Sequence, residues 1–154
     1  MYVLEKLLLT SFEKQQVVRL WNKEYPKSLN FADDQGFDQY LKTLSNPQHY
    51  LLTSESKEIL GWASKFSREG TTWFAIILDD KIQGKGYGSK ILTAIQKNET
   101  ALHAWVIDKD NALKANGTFY KSPLDFYLKQ KFEVHSQIRL ETEKLSAVKI
   151  VWSS

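Results

Sequence analysis

Gln83-Gly84-Lys85-Gly86-Tyr87-Gly88-Ser89 gathers three of the seven glycines of the chain into one short segment. Glycine admits positive φ at little cost and lets an anion approach bare backbone. Just beyond the first two, Gly88, Ile91, Leu92 and Ile95 fall at i, i+3, i+4 and i+7, one face of an amphipathic helix. The first N–H groups of such a helix lack carbonyl partners, and the helix dipole adds partial positive charge there. The chemistry predicted is a cradle for a phosphate or pyrophosphate, against the alternative of a glycine-rich turn with no ligand. Spacing narrows the ligand. A Walker loop requires Gly, four residues, then Gly-Lys-Ser/Thr, and a dinucleotide fingerprint requires its third glycine three positions after the second. Glycines at 84, 86 and 88 satisfy neither.

The elements that must position this loop can be read around it. Trp73 to Leu78 is an apolar run of buried-strand type leading into it. Upstream, Val3 to Leu9 reads as a strand. Thr10 with Glu13 forms a capping box opening a helix over Glu13 to Glu24, where Val17, Leu20 and Trp21 share a face and Pro26 stops the pattern. A second helix is predicted from Asp34 to Leu44, with Pro47 after it. His49 to Thr53, Ile59 to Phe66 and Thr72 to Leu78 are strands joined by short polar turns, hence an antiparallel meander. After the glycine helix come a strand at Leu102 to Ile107, a short helix at Pro123 to Lys129, and strands at Phe132 to Leu140 and Ala147 to Trp152. No linker or repeat divides residues 1–154, so a single domain is expected.

Composition excludes several function classes. Hydrophobic content of 42% and charged content of 25% are ordinary for a globular protein. The net charge of +3 is spread along the chain with both signs interspersed, which gives no basic face for nucleic acid. Cysteine is absent, removing disulfides, thiol nucleophiles and thiolate metal sites together. No apolar stretch reaches membrane-spanning length and no signal-peptide pattern opens the chain, so a cytoplasmic location is expected. His49 and His135 lie far apart without carboxylate spacing around them, and no metal site is expected.

The glycine segment resembles the acetyl-CoA loop of the GNAT family of N-acetyltransferases. Their motif reads Arg or Gln, two variable residues, Gly, one variable residue, then Gly or Ala; Gln83, Gly86 and Gly88 fill it. The order of elements over nearly the whole chain is similar to that family as well. Near the C-terminus, Phe126-Tyr127 and Phe132 keep the spacing of a family Phe-Tyr, three residues, Gly-Phe signature, with Lys131 where glycine is usual. That position normally takes a left-handed conformation, so Lys there should be modestly strained. The resemblance implies the acyl-CoA N-acyltransferase fold, a mixed, mostly antiparallel α/β sheet of about seven strands with about four helices. It also implies that backbone amides of Gly84, Lys85, Gly86, Tyr87, Gly88 and Ser89 hold the pyrophosphate, with the Lys85 charge beside it. Backbone groups of Ile77 and Leu78 would hold the pantetheine arm and polarise the thioester carbonyl.

By the same resemblance, Tyr127 protonates the departing thiolate; the alternative is a core tyrosine with a satisfied hydroxyl. An attacking ammonium must first lose a proton, and no carboxylate lies within Trp73 to Leu78. Asp108, at a strand end beside the expected cleft, is the first candidate base, followed by Asp33 and Asp34. Against each stands the reading that Asp at a strand or helix end is usually a turn or cap residue. His103 shares a strand face with Trp105 and reads as a packed residue. Trp21, Trp62, Trp105 and Trp152 are expected in the core, while Trp73 could line the acceptor site. The long segment Asp108 to Ser122 reads as an insertion near the active-site mouth. It either closes over a ligand or simply connects elements. The reading is an acetyl-CoA-dependent transfer to a primary amine of a small molecule or protein in a ternary complex. A homodimer is possible, and the competing reading is a non-catalytic CoA-binding module.

Overall fold

The computed structural model describes residues 1–154. Its seven strands are β1 (Tyr2–Lys6), β2 (Ser45–Thr53), β3 (Ile59–Arg68), β4 (Thr71–Leu78), β5 (Ala101–Ile107), β6 (Glu133–Glu141) and β7 (Ser146–Ser153). Four α-helices accompany them: α1 (Ser11–Glu24), α2 (Asp34–Lys42), α3 (Tyr87–Gln96) and α4 (Leu124–Lys129). The strands form one sheet in the order β1-β2-β3-β4-β5-β7-β6. Every neighbouring pair is antiparallel except β4 and β5. The mixed, mostly antiparallel sheet expected from the chain is therefore present, with its β2-β3-β4 meander.

Local chemistry explains the boundaries. The Thr10 hydroxyl accepts from the Glu13 amide at 3.2 Å while the Glu13 carboxylate accepts from the Thr10 amide at 2.8 Å. This reciprocal cap starts α1 at Ser11, slightly ahead of the expected Glu13. β1 stops at Lys6 and not at Leu9, because Leu7 and Leu8 turn out to solvent and only Leu9 is buried. α2 ends at Lys42, and Pro47 lies inside β2 where a boundary was expected. Asn46 takes φ 51° and the β2–β3 register shifts between Ser45 and Gln48. That bulge lies beyond the last β1 pair, Lys6 with His49, so the missing proline N–H breaks no ladder there.

Alternation along the strands sends side chains into two cores. Leu52, Phe74, Leu102 and Val148 pack with Ile91, Leu92 and Ile95 of α3 on one face. Leu51, Trp62 and Ile77 pack with Val17, Leu20 and Trp21 of α1 and with Phe37 of α2 on the other. Helices on both faces leave the sheet covered, and one irregularity inside it matters for function. β4 and β5 pair at a single position, Trp73 with His103, and then diverge.

Candidate active site

The glycine segment lies at the end of β4. A short 3-10 turn, Asp80–Ile82, follows the strand, and α3 begins at Tyr87. Gly84 and Gly86 have φ of 75° and 88°, and a Cβ on either would meet nothing within 4 Å. Both glycines are thus required by backbone conformation, and the space above them is open. Gly86 is the N-cap of α3 and supplies no side-chain acceptor, so the first amides of that helix remain free. Gly88 serves a different purpose: a Cβ there would come within 3.1 Å of the Phe126 ring, so it lets α4 close onto α3. Gln83 turns back and donates to the Leu78 carbonyl at 3.0 Å. Gln130 at the end of α4 donates to the Ser89 hydroxyl at 2.9 Å. Lys85 is exposed beside the open face.

An acidic latch fixes where β4 ends. Glu24, at the last position of α1, accepts from the Asp80 amide at 2.9 Å and from the Lys114 ammonium at 3.0 Å. Lys23 reaches Asp79 at 2.9 Å and Asp80 at 3.3 Å. The carboxylates of Glu24, Asp79 and Asp80 lie within 4.8 Å of one another, and between them these two lysines pair with all three. Asp79 is buried, yet the Lys81 amide and Lys23 outweigh that burial and hold its carboxyl below the usual range.

The splay between β4 and β5 opens a cavity of about 600 Å³. Consecutive residues of both strands line it, Trp73 to Ile76 and Ala104 to Ile107. Successive side chains of a strand point to opposite faces, so only a gap between strands brings all of them to one cavity. The phase of the ladder shows which backbone groups face the gap. The Asp79 amide donates to the Leu60 carbonyl at 2.9 Å. Alternation then turns the amide and carbonyl of Ile77 towards β3, and those of Ile76 and Leu78 towards the open side. Of the two residues expected to offer backbone groups, Leu78 faces the gap, while Ile77 is spent on the ladder and buries its side chain under α1.

Aromatic rings form most of the remaining wall. Trp21, Tyr25, Phe31, Tyr40, Phe66, Trp105, Tyr120 and Tyr127 all line it. Burial pushes the Tyr127 hydroxyl well above the ordinary phenol range, as it does those of Tyr25 and Tyr120, and it pushes Tyr40 up to about 12. Tyr127 lies in α4 with its ring edge-on to Phe126 and Phe132, at 5.0 and 5.2 Å. Trp105, expected in the core, is a wall residue, and so is Trp73; Trp62 is fully buried as expected. Tyr120 brings the 108–122 segment to the cavity, with Pro123 just after it, and the segment is anchored by Lys114 on Glu24 and by the Lys27 amide donating to the Leu113 carbonyl at 2.8 Å. The segment thus contributes one wall residue to the cavity in addition to connecting elements.

The acidic candidates lie elsewhere. Asp108 is gripped by the Arg139 guanidinium through two hydrogen bonds, 2.9 and 3.0 Å, which hold its carboxyl below the usual range. Asp33 caps α2, accepting from the Gly36 amide at 3.1 Å, and with Asp34 it borders a separate, smaller depression. His49 accepts from the Trp62 indole at 3.2 Å in the core, and His103 stacks on Trp73. Sequence reading did not anticipate Tyr25, Phe31, Tyr40, Arg68, Leu140 or Lys144 as wall residues. Tyr40 carried a helical-face signal; the others converge only through tertiary structure.

The comparisons with known proteins agree with this geometry. No curated protein sequence matches the chain. Among solved structures, an aminoglycoside 6'-N-acetyltransferase complexed with coenzyme A superposes with a TM-score of 0.73 at 10% identity, over 99% of this chain and 97% of that one. A phosphinothricin acetyltransferase from Sinorhizobium meliloti in complex with AcCoA gives 0.64 at 10% identity, covering 99% and 89%. A ribosomal-protein-alanine N-acetyltransferase from Brucella melitensis gives 0.65 at 15% identity, covering 98% and 99%. These likenesses establish the fold. Residues 14–126 match the model of the Acetyltransferase (GNAT) family, which takes in the α1 latch, the glycine cradle and the β4–β5 splay, and the chain belongs to that family.

Proposed function

We propose that this acetyltransferase moves an acetyl group from acetyl-CoA to a primary amine nitrogen by direct attack in a ternary complex. One observation carries the reading: the glycine cradle lies at the end of β4, and the gap between β4 and β5 opens from that strand into the aromatic cavity. A donor with a pyrophosphate at one end and an acyl thioester at the other fits that layout. The free amides at the start of α3 and the Lys85 charge hold the pyrophosphate. Backbone groups of Ile76 and Leu78 hold the pantetheine arm and polarise the thioester carbonyl. Tyr127 keeps its proton in the buried wall and gives it to the leaving sulfur, and the proton that the attacking nitrogen sheds as the amide forms restores the phenol. No cysteine is available for an acyl-enzyme, so the amine attacks the thioester itself.

Proton removal follows from what lines the cavity. No carboxylate and no histidine is among the wall residues, and Asp108 is committed to Arg139. An amine moved from water to an aromatic wall loses hydration, which disfavours its charged form. The neutral amine is therefore the attacking species, and its proton leaves to water before it enters. The three solved neighbours act, by their names, on an aminoglycoside, phosphinothricin and a ribosomal-protein alanine, so fold likeness leaves the acceptor open. A cytoplasmic enzyme fits the same reading.

Calorimetry with acetyl-CoA on the wild type and on Gly86→Glu tests the site. The variant forces a non-glycine residue into φ 88° and puts a carboxylate into the cradle. Wild-type binding that is lost in Gly86→Glu is expected. Absence of wild-type binding at millimolar acetyl-CoA sinks the reading, and binding without thiol release for any amine would favour the non-catalytic CoA-binding module.

A further inference from the structure

The charge inside the acceptor cavity is one-sided. Of its 23 lining residues, 19 are hydrophobic, and the charged ones are Arg68 and Lys144, both cationic. Neither takes part in an ion pair, although ion pairs engage acidic groups all over the molecule. The Arg68 guanidinium lies over two wall rings, 5.0 Å from the centre of Phe66 and 5.3 Å from that of Trp73. Its charge also reaches the Tyr40 hydroxyl, where it opposes the upward push of burial. Lys144 is on the β6–β7 turn, whose backbone is tied across the cavity mouth: the Ser28 hydroxyl donates to the Lys144 carbonyl at 2.6 Å. Outside the lining, the Lys149 ammonium lies 5.5 Å from the centre of the Trp73 ring.

Resting on the acetyltransferase reading above, we infer that the acceptor is a primary amine on an aromatic body that also carries a carboxylate, as in an aromatic amino acid. The aromatic body lies against the walls from Trp21 to Tyr120, where rings gain from offset and edge contacts. The carboxylate meets Arg68, a planar donor fork with no competing anion. The same set of groups rejects a polycationic amine. Such an acceptor would bring several positive charges to a cavity whose two charged side chains are both cations and which offers no acid, so it gains no ion pair and meets like charge. The guanidinium stacked on Phe66 and Trp73 is already held in place, so little side-chain entropy is lost when an anion docks on it.

The test measures thiol release from acetyl-CoA with matched acceptors: phenylalanine, tyrosine and tryptophan, their three decarboxylated amines, and spermidine. At least one amino acid should exceed its decarboxylated partner in kcat/KM by about tenfold or more, the range expected of a hydrogen bond between charged groups. Spermidine should be the poorest acceptor. Arg68→Ala should shrink the amino-acid advantage to about threefold or less, chiefly through KM, and Arg68→Lys should recover part of it. Arg68 is solvent-exposed and remote from the glycine cradle, so the acetyl-CoA dissociation constant should not change in either variant. Equal or better transfer to the decarboxylated amines or to spermidine overturns the charge inference and leaves the acetyltransferase reading standing. An amino-acid advantage that survives in Arg68→Ala overturns it too. Tight acetyl-CoA binding with no transfer to any of these seven acceptors overturns the charge inference and leaves the acetyltransferase reading to be tested on other amines.

Discussion

At the scale of single residues, the proposed reaction asks the most chemistry of Tyr127. Its resemblance-based role rested on a phenol of ordinary acidity, near pKa 10, matched to a thiol. Burial lifts it above that range, so the phenol stays protonated throughout any practical assay. In the proposed reaction it serves as a hydrogen-bond and proton donor to a sulfur whose own basicity rises in the same dry site. Tyr127→Phe keeps the ring packing against Phe126 and Phe132 and removes only the hydroxyl. We expect kcat to fall about 100-fold with the calorimetric acetyl-CoA affinity unchanged. A variant as fast as wild type would reduce Tyr127 to a wall residue. Asp108 shows the opposite lesson. A carboxylate at a strand end was a sensible candidate base, yet Arg139 lies 31 positions away in sequence, and nothing local announced that pair.

At the scale of elements, the α4 terminus shows how much a spacing pattern can reveal. Lys131 stands where the family signature has glycine, and it does adopt φ 68°. The turn is closed by the Lys131 amide on the Leu128 carbonyl and the Phe132 amide on the Tyr127 carbonyl, both at 3.1 Å. A Cβ in the left-handed region is strained, while glycine costs more entropy on folding. The strain outweighs that entropy, so Lys131→Gly should stabilise the protein by about 1 kcal/mol. The check is a urea midpoint that rises with no change in slope; a midpoint that falls would mean the lysine is relaxed there. The glycine loop was equally legible, because the positive φ of Gly84 and Gly86 favours that residue type. The wall of the cavity was not. Tyr25 follows α1, Tyr120 sits in an irregular segment, and Lys144 is in a hairpin turn, with no shared period to connect them.

For the whole molecule, the buried His49–Trp62 pair sets an acid limit. Burial pushes the His49 imidazole down to about 4, whereas in the unfolded chain it titrates near 6.5. Between those values the unfolded state binds a proton that the native state refuses. Stability is therefore full above pH 6.5 and is lost as pH falls towards 4, by about 3 kcal/mol over the window. Urea unfolding at pH 7, 5.5 and 4.5 measures the slope. His49→Gln keeps an acceptor for the Trp62 indole and should flatten that slope; an unchanged slope would mean other groups set it.

Residue types and their periods were enough to determine the element order, the two-faced sheet and the glycine loop ahead of α3. Each of these depends on backbone preference or on burial periodicity, which are local properties. Tertiary structure alone decided that β4 and β5 pair at one position and part, which ladder phase exposes Ile76 and Leu78 in place of Ile77, and which side chains wall the gap. Those outcomes follow from how the twisted strands and the α1 latch pack together. Packing joins residues such as Glu24 and Lys114, 90 positions apart, through contacts that no sequence period encodes.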